Sequence, residues 1–221
     1  MSNLSTTACA ILKQTFLILL ASPLVFGANS VIFSEDFESG LKPIWQKVEF
    51  TGETDYKVVR DGTNSFLQAS ARNAASGLAV KLTPASPKNV VLSWKWRIDH
   101  IPPGGTEDNI KTFDHTARLF IAFKTLLGPP RTINYVWANS AQVGSTFHHP
   151  NSGRARFIVL QSGNEKAGQW IAEQRDLARD WKLLFGDDDP PLVVSLGLMT
   201  DSDGTRSSVT GCYDDIQLRI R

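Results

Sequence analysis

Arginine carries a planar fork that grips a carboxylate or sulfate through two parallel hydrogen bonds. This chain places arginines where extended segments would display them. Lys95 and Arg97 alternate with tryptophans, Arg118 opens a second run, and Arg154 and Arg156 share a face of a third. Were those runs neighbours in one sheet, Arg97, Arg118 and Arg156 would form an anion-binding surface. Asp114 would orient Arg118, and Trp137 would stack on a sugar ring. The ligand such a surface implies is an acidic polysaccharide or oligosaccharide. The competing reading is an ordinary solvated face laced with weak salt bridges, and strand order decides between them.

Other residues could move protons or hold a metal. His115, Arg118 and Tyr135 are the types that β-elimination of a uronate needs: Arg118 to neutralise the carboxylate, His115 or Tyr135 as the base. This keeps a polysaccharide lyase open as an alternative. His148 and His149 are adjacent, so on an extended segment they point opposite ways and chelate one ion poorly. Glu38, near the start of the folded region, and Asp214, near its end, could share a structural Ca²⁺ if the terminal strands are neighbours. Asp201-Ser202-Asp203-Gly204 has the look of a calcium loop, but Cys212 stands where an EF-hand needs its twelfth-position acid, so it reads as a turn. Glu35 and Glu38 fall on opposite faces of an extended segment, which disfavours them as a glycosidase pair. Nucleophile-elbow, zincin, dinucleotide-binding, P-loop and CxxC motifs are all missing from the sequence.

The elements that would position these residues are mostly strands. In Val90–Asp99, Val90, Leu92, Trp94, Trp96 and Ile98 alternate with Val91, Ser93, Lys95, Arg97 and Asp99, so the two tryptophans face a core. Further runs are 118–124, 131–137, 156–162, 193–200 and 209–221, with shorter ones at 31–33, 45–50, 56–60, 66–70 and 77–82. Turn signals such as Asp61-Gly62, Pro102-Pro103-Gly104-Gly105 and Gly128-Pro129-Pro130 separate them. About eleven strands at this spacing predict an all-β fold, a two-sheet antiparallel β-sandwich of jelly-roll or lectin-like type. One short helix interrupts it: Asp176 caps an apolar stripe of Leu177, Trp181, Leu184 and Phe185, and Gly186 stops it. No linker divides residues 28–221, which read as one domain.

Residues 1–27 read as a secretory signal peptide, with Lys13 ahead of the apolar run Thr15–Ala21 and small residues at Val25-Phe26-Gly27-Ala28. The run is shorter than the ~20 residues of a membrane span; an uncleaved N-terminal anchor is the alternative. Export leaves Cys212 as the single cysteine, so no intrachain disulfide can form. A net charge of +1 without a basic block excludes a dedicated nucleic-acid binder.

The ends of the folded region, Phe37-Glu38-Ser39-Gly40 with Trp45 and Tyr213-Asp214-Asp215-Ile216, look like the ends of secreted carbohydrate-binding jelly rolls. In order, Leu92-Ser93-Trp94-Lys95-Trp96-Arg97, Ala117-Arg118-Leu119-Phe120, Tyr135-Val136-Trp137, Val159–Gly163, Arg175-Asp176, Phe185-Gly186 and Thr200–Asp203 make the chain resemble the secreted bacterial domain-of-unknown-function family 3047. That resemblance implies export and a compact sandwich, and no established activity. The expectation is thus a periplasmic or secreted sandwich that binds carbohydrate, without a membrane span once the signal peptide is removed. A lyase or a structural cell-envelope interaction protein are the alternatives, and structural Ca²⁺ is the one conceivable cofactor.

Overall fold

The computed structural model describes residues 30–221, so the signal-peptide reading of residues 1–27 lies outside the described residues. In chain order the elements are β1 (Val31–Glu35), β2 (Gln46–Thr51), β3 (Asp55–Asp61), β4 (Asn64–Arg72), β5 (Ala75–Ala85), β6 (Val90–Ile98), β7 (Ala117–Phe123), β8 (Arg131–Ala138), β9 (Thr146–His149), β10 (Ser152–Ser162), β11 (Ile171–Asp176), α1 (Leu177–Phe185), β12 (Val193–Asp201) and β13 (Ser208–Ile220). They form two sheets. One runs β11-β6-β13-β4-β3, with β1 also pairing β13; the other runs β2-β5-β12-β7-β8-β10-β9. The fold is the expected β-sandwich with one helix. Among the described residues no helix is long and apolar enough to cross a membrane.

Period-two patterning explains the sandwich. Leu92, Trp94, Trp96 and Ile98 of β6 meet Leu119, Ile121, Phe123, Ile133, Tyr135, Leu196 and Leu198 of the opposing sheet in one buried cluster. The alternate residues, Arg118 and Phe120 among them, point to the outer face of the seven-stranded sheet. There a second, smaller cluster forms around Phe113, Val136, Phe157 and Val159. Asp176 caps α1 by accepting from the Arg179 N–H at 3.0 Å. Gly186, left-handed at φ 72°, ends the helix with its N–H on the Lys182 carbonyl.

Two strands and one pairing differ from expectation. β9 and β11 are edge strands whose Thr-Phe-His-His and Ile-Ala-Glu-Gln-Arg-Asp sequences bury few apolar side chains, so their alternation is faint. β10 runs parallel to β8, although the other pairs are antiparallel. The chain leaves β8, forms β9 at the sheet edge, and turns back through β10 into the space between them.

Candidate functional site

The outer face of the seven-stranded sheet is built from two cross-strand rows. One reads Gly77, Met199, Arg118, Val136; the next reads Ala79, Gly197, Phe120, Asn134. Gly197 is needed there because a Cβ would come within 2.3 Å of the Phe120 ring. Where β12 ends and β7 begins, this face opens into a pocket of about 210 Å³. Its walls include Phe50, Ile110, Asp114, Arg118, His149, Met199, Asp201 and Asp203.

At its centre the Arg118 Nη2 donates to Asp201 Oδ2 at 2.8 Å, and both side chains are largely buried. Asp201 Oδ1 accepts the His115 backbone N–H at 2.9 Å. Asp114 does not orient Arg118, contrary to expectation. It accepts from Gly204 N (3.1 Å), Thr205 N (2.6 Å) and Thr205 Oγ1 (2.7 Å), pinning the turn after β12. That turn comes so close that a Cβ on Gly204 would lie 2.7 Å from the Lys111 carbonyl oxygen. Burial pushes the Asp201 carboxyl up to about 6 despite the pull of the Arg118 guanidinium, with Asp114 adding to the rise. His149, half-buried on the pocket wall, is held below the usual imidazole range by burial and by Arg118.

His115 lies behind this wall. It is fully buried, stacked near Phe147 and Phe157 and edge-on to Phe113, and neither ring nitrogen has a protein partner. Burial first, then Arg118, drive its pKa well below the ordinary value, so the ring is neutral and enclosed. Tyr135 belongs to the opposite, inward face of β8. Its hydroxyl donates to Asp180 Oδ2 at 2.8 Å, and burial beside that carboxylate raises its pKa strongly. The His115–Arg118–Tyr135 set therefore does not converge.

The arginine surface does not form either. Arg97 lies on the outer face of the other sheet, its guanidinium 4.9 Å from the Trp170 ring centre and 5.2 Å from that of Phe66. Arg156 sits opposite Ile133, a core residue, so it points inward; it donates to the Leu184 carbonyl at the end of α1 and covers Phe185. Parity along each strand thus sends Arg97, Arg118 and Arg156 to three separate places. Trp137 is 1% exposed and its indole N–H donates to the Gly163 carbonyl at 2.9 Å, so it offers no face to a sugar.

The three carboxylates of Asp114, Asp201 and Asp203 bring one oxygen each within 4.8 Å of one another. As a metal site they fit poorly, because Asp114 and Asp201 already accept protein hydrogen bonds and Arg118 supplies the compensating charge. Glu38 and Asp214 both reach the β3–β4 hairpin. Glu38 accepts from Ser65 N (2.6 Å) and Oγ (3.1 Å), and Asp214 from Asn64 Nδ2 (2.9 Å). Asp201 and Asp203, read from the sequence as a plain turn, His149, read as half of a poor chelating pair, and Phe50, not singled out there, are the further residues of this site. The Asp-Ser-Asp-Gly turn was the available signal for the first two.

Residues 43–217 match the family described as "Protein of unknown function (DUF3047)". No curated protein matches the chain. Among solved structures, the chain is similar to the family 11 carbohydrate-binding module of the cellulosomal cellulase Lic26A-Cel5E of Clostridium thermocellum, at 13% identity and TM-score 0.43, covering 87% of this chain and 97% of that one. It is similar to the CBM22-2 xylan-binding domain of Paenibacillus barcinonensis Xyn10C, at 14% identity and TM-score 0.41, covering 86% and 99%. It is also similar to the native family 12 xyloglucanase of Bacillus licheniformis, at 9% identity and TM-score 0.48, covering 88% and 99%. The likeness to all three is one of fold.

Proposed function

The chain belongs to this family of unknown function, and from that premise we propose that it binds carbohydrate, holding a neutral glycan in the pocket at the Arg118 end of the seven-stranded sheet. One observation carries the reading: an exposed apolar wall faces polar groups that are already fixed. Phe50 is 65% exposed and Ile110 42%, while Arg118 is locked by Asp201, and Asp203 and His149 stand beside them. A sugar ring has apolar C–H faces and in-plane hydroxyls, so it matches a wall of this kind set against pre-oriented planar donors and acceptors.

Charge selects against the acidic glycan expected from the sequence. Three carboxylates surround one guanidinium, so a uronate or sulfate would meet net repulsion at short range. Geometry favours binding over bond cleavage. His115 is enclosed and Tyr135 is in the core, which removes both bases from a lyase mechanism. A retaining hydrolase needs two open carboxyl groups about 5 Å apart, whereas Asp114 and Asp201 have their oxygens occupied. The apolar run Thr15–Ala21 followed by Val25-Phe26-Gly27-Ala28 supports export to the periplasm or beyond, where glycans are met.

Affinity electrophoresis tests the proposal directly. Gels carrying a neutral β-glucan or xylan should retard the protein, and polygalacturonate gels should not. Phe50→Ala should weaken retention by about three- to tenfold without moving the melting temperature. Free migration through all the neutral glycans, or the appearance of new chain ends in them, would overturn it.

A further inference from the structure

At the opposite end of the same sheet, the β7–β8 turn and the segment entering β12 enclose a groove of about 570 Å³, bordered by Lys124, Leu126, Leu127, Arg131, Arg154 and Leu192. Leu126 and Leu127 form the apex of the turn and are 103% and 86% exposed. A single exposed leucine is ordinary, but two adjacent ones, wholly exposed with Leu192 behind them, make a continuous apolar tip.

The tip is held outward. Thr125 Oγ1 donates to the carbonyls of Gly128 (2.9 Å) and Pro129 (3.2 Å), and Arg154 Nη1 donates to the Pro129 carbonyl at 2.8 Å. Gly128 takes a left-handed φ of 79°, which fixes the bend ahead of Pro129-Pro130. The leucines therefore project from a braced loop and do not fold back onto the groove.

Charge is one-sided here. Lys124, Arg131 and Arg154 have no ion-pair partner among the described residues, and no carboxylate borders the groove. The acidic side chains nearest in sequence to Leu192 are engaged elsewhere, Asp188 with Lys182 and Asp189 with Lys88.

We propose that this end of the molecule docks on a lipid bilayer bearing anionic headgroups. Leu126 and Leu127 enter the interfacial layer, and Lys124, Arg131 and Arg154 face the headgroup phosphates. A convex apolar tip backed by like charges suits a bilayer, where one short insertion and several phosphate contacts are enough. A protein partner would need about 800 Å² on each side with a mixed polar rim, whereas every charged residue lining this groove is a cation. Docked in this way, the protein would turn its Arg118 pocket away from the membrane.

The test is co-sedimentation of the full chain with vesicles. Phosphatidylcholine vesicles containing about one-third phosphatidylglycerol are compared with phosphatidylcholine alone. The protein should partition preferentially to the anionic vesicles, and added salt should weaken that preference. The double variant Leu126→Ser, Leu127→Ser should lose about tenfold or more in partitioning, and Lys124→Glu should lose part of the preference for anionic lipid. All three positions are exposed, so circular dichroism and melting temperature should be unchanged. The apolar run near the start of the chain is common to wild type and variants, so their difference reports on the turn. Equal partitioning of wild type and double variant would overturn the proposal. So would lipid-free self-association that the leucine substitutions abolish, which would assign the tip to a second copy of the chain.

Discussion

β7 and β12 lie side by side, and their two ends handle charge in opposite ways. At the Arg118–Asp201 end Arg118, Asp201 and Asp114 are largely buried, and each is met by a protein partner. About 20 Å away, at the usual rise per residue, Lys124 and Arg131 are exposed, Arg131 with its guanidinium over the Phe185 ring, and no carboxylate among the described residues lines the groove beside them. Burial explains the contrast. A charge removed from water must be paired or neutralised, so the buried end is a fixed lattice of polar groups. Charges left in water carry no such requirement, and they remain free to meet something outside the molecule. Fixed polar groups beside an apolar wall suit a small patterned ligand, whereas unpaired cations around a projecting apolar tip suit an extended surface.

The largest expected effect sharpens this contrast through stability. Arg118→Ala would strand the Asp201 carboxylate beside Asp114, and breaking a buried pair from one side costs about 3 kcal/mol. For a chain of this size that lowers the melting temperature by roughly 5–10 °C. The matching change at the other end, Lys124→Ala, should leave it unmoved. Differential scanning calorimetry of both variants at neutral pH checks the pair; equal melting temperatures would erase the distinction between the two ends.

Acidity gives the next effect. With its folded-state pKa raised to about 6 against about 3.9 when unfolded, Asp201 keeps in the folded protein a proton that the unfolded chain has already released. Its contribution to stability therefore grows as pH falls from about 6 to about 4, by up to about 2–3 kcal/mol. Glycan affinity should move the other way, because protonated Asp201 no longer fixes the Arg118 fork. Measuring melting temperature and gel retardation between pH 7 and pH 5 should show stability from this group rising while binding falls. Asp201→Asn should flatten both profiles. Parallel trends would show that Asp201 does not govern the pocket.

The sequence revealed the scaffold more readily than the site, for a physical reason. Alternation in Val90–Ile98 announces which residues face inward, because one face of that strand meets the core. The helix was equally legible from Asp176, its apolar stripe and Gly186. Edge strands β9 and β11 bury too little to leave such a trace. Alternation also tells which side of its own strand Arg118 occupies, but it does not say which sheet, or which face of that sheet, Arg97 and Arg156 will share. That information lies in pairings across long sequence separations. Asp201 meets Arg118 across 83 positions and Asp114 meets Thr205 across 91, beyond the reach of any local pattern. Trp137 failed as a sugar platform for a related reason: a large aromatic at a strand's end is as useful for filling the sandwich as for meeting a ligand.

The smallest expected effect concerns calcium at Glu38 and Asp214. The sequence suggested a shared ion; both residues reach one hairpin, and protein donors satisfy them there. Ser65 gives Glu38 its backbone N–H and its hydroxyl, and Asn64 together with the Asp215 N–H serve Asp214. Calcium requires six to eight oxygen ligands turned toward one point, and a carboxylate that accepts from N–H groups presents its lone pairs to hydrogens instead. Chelation with EGTA should therefore shift the melting temperature by less than about 1 °C, a change near the smallest that a stability difference of a few tenths of a kcal/mol can produce. A stabilisation of several degrees on adding calcium, lost in Glu38→Gln, would mean that the hairpin donors give way to the ion and that this corner, like the Arg118 end, is organised around charge.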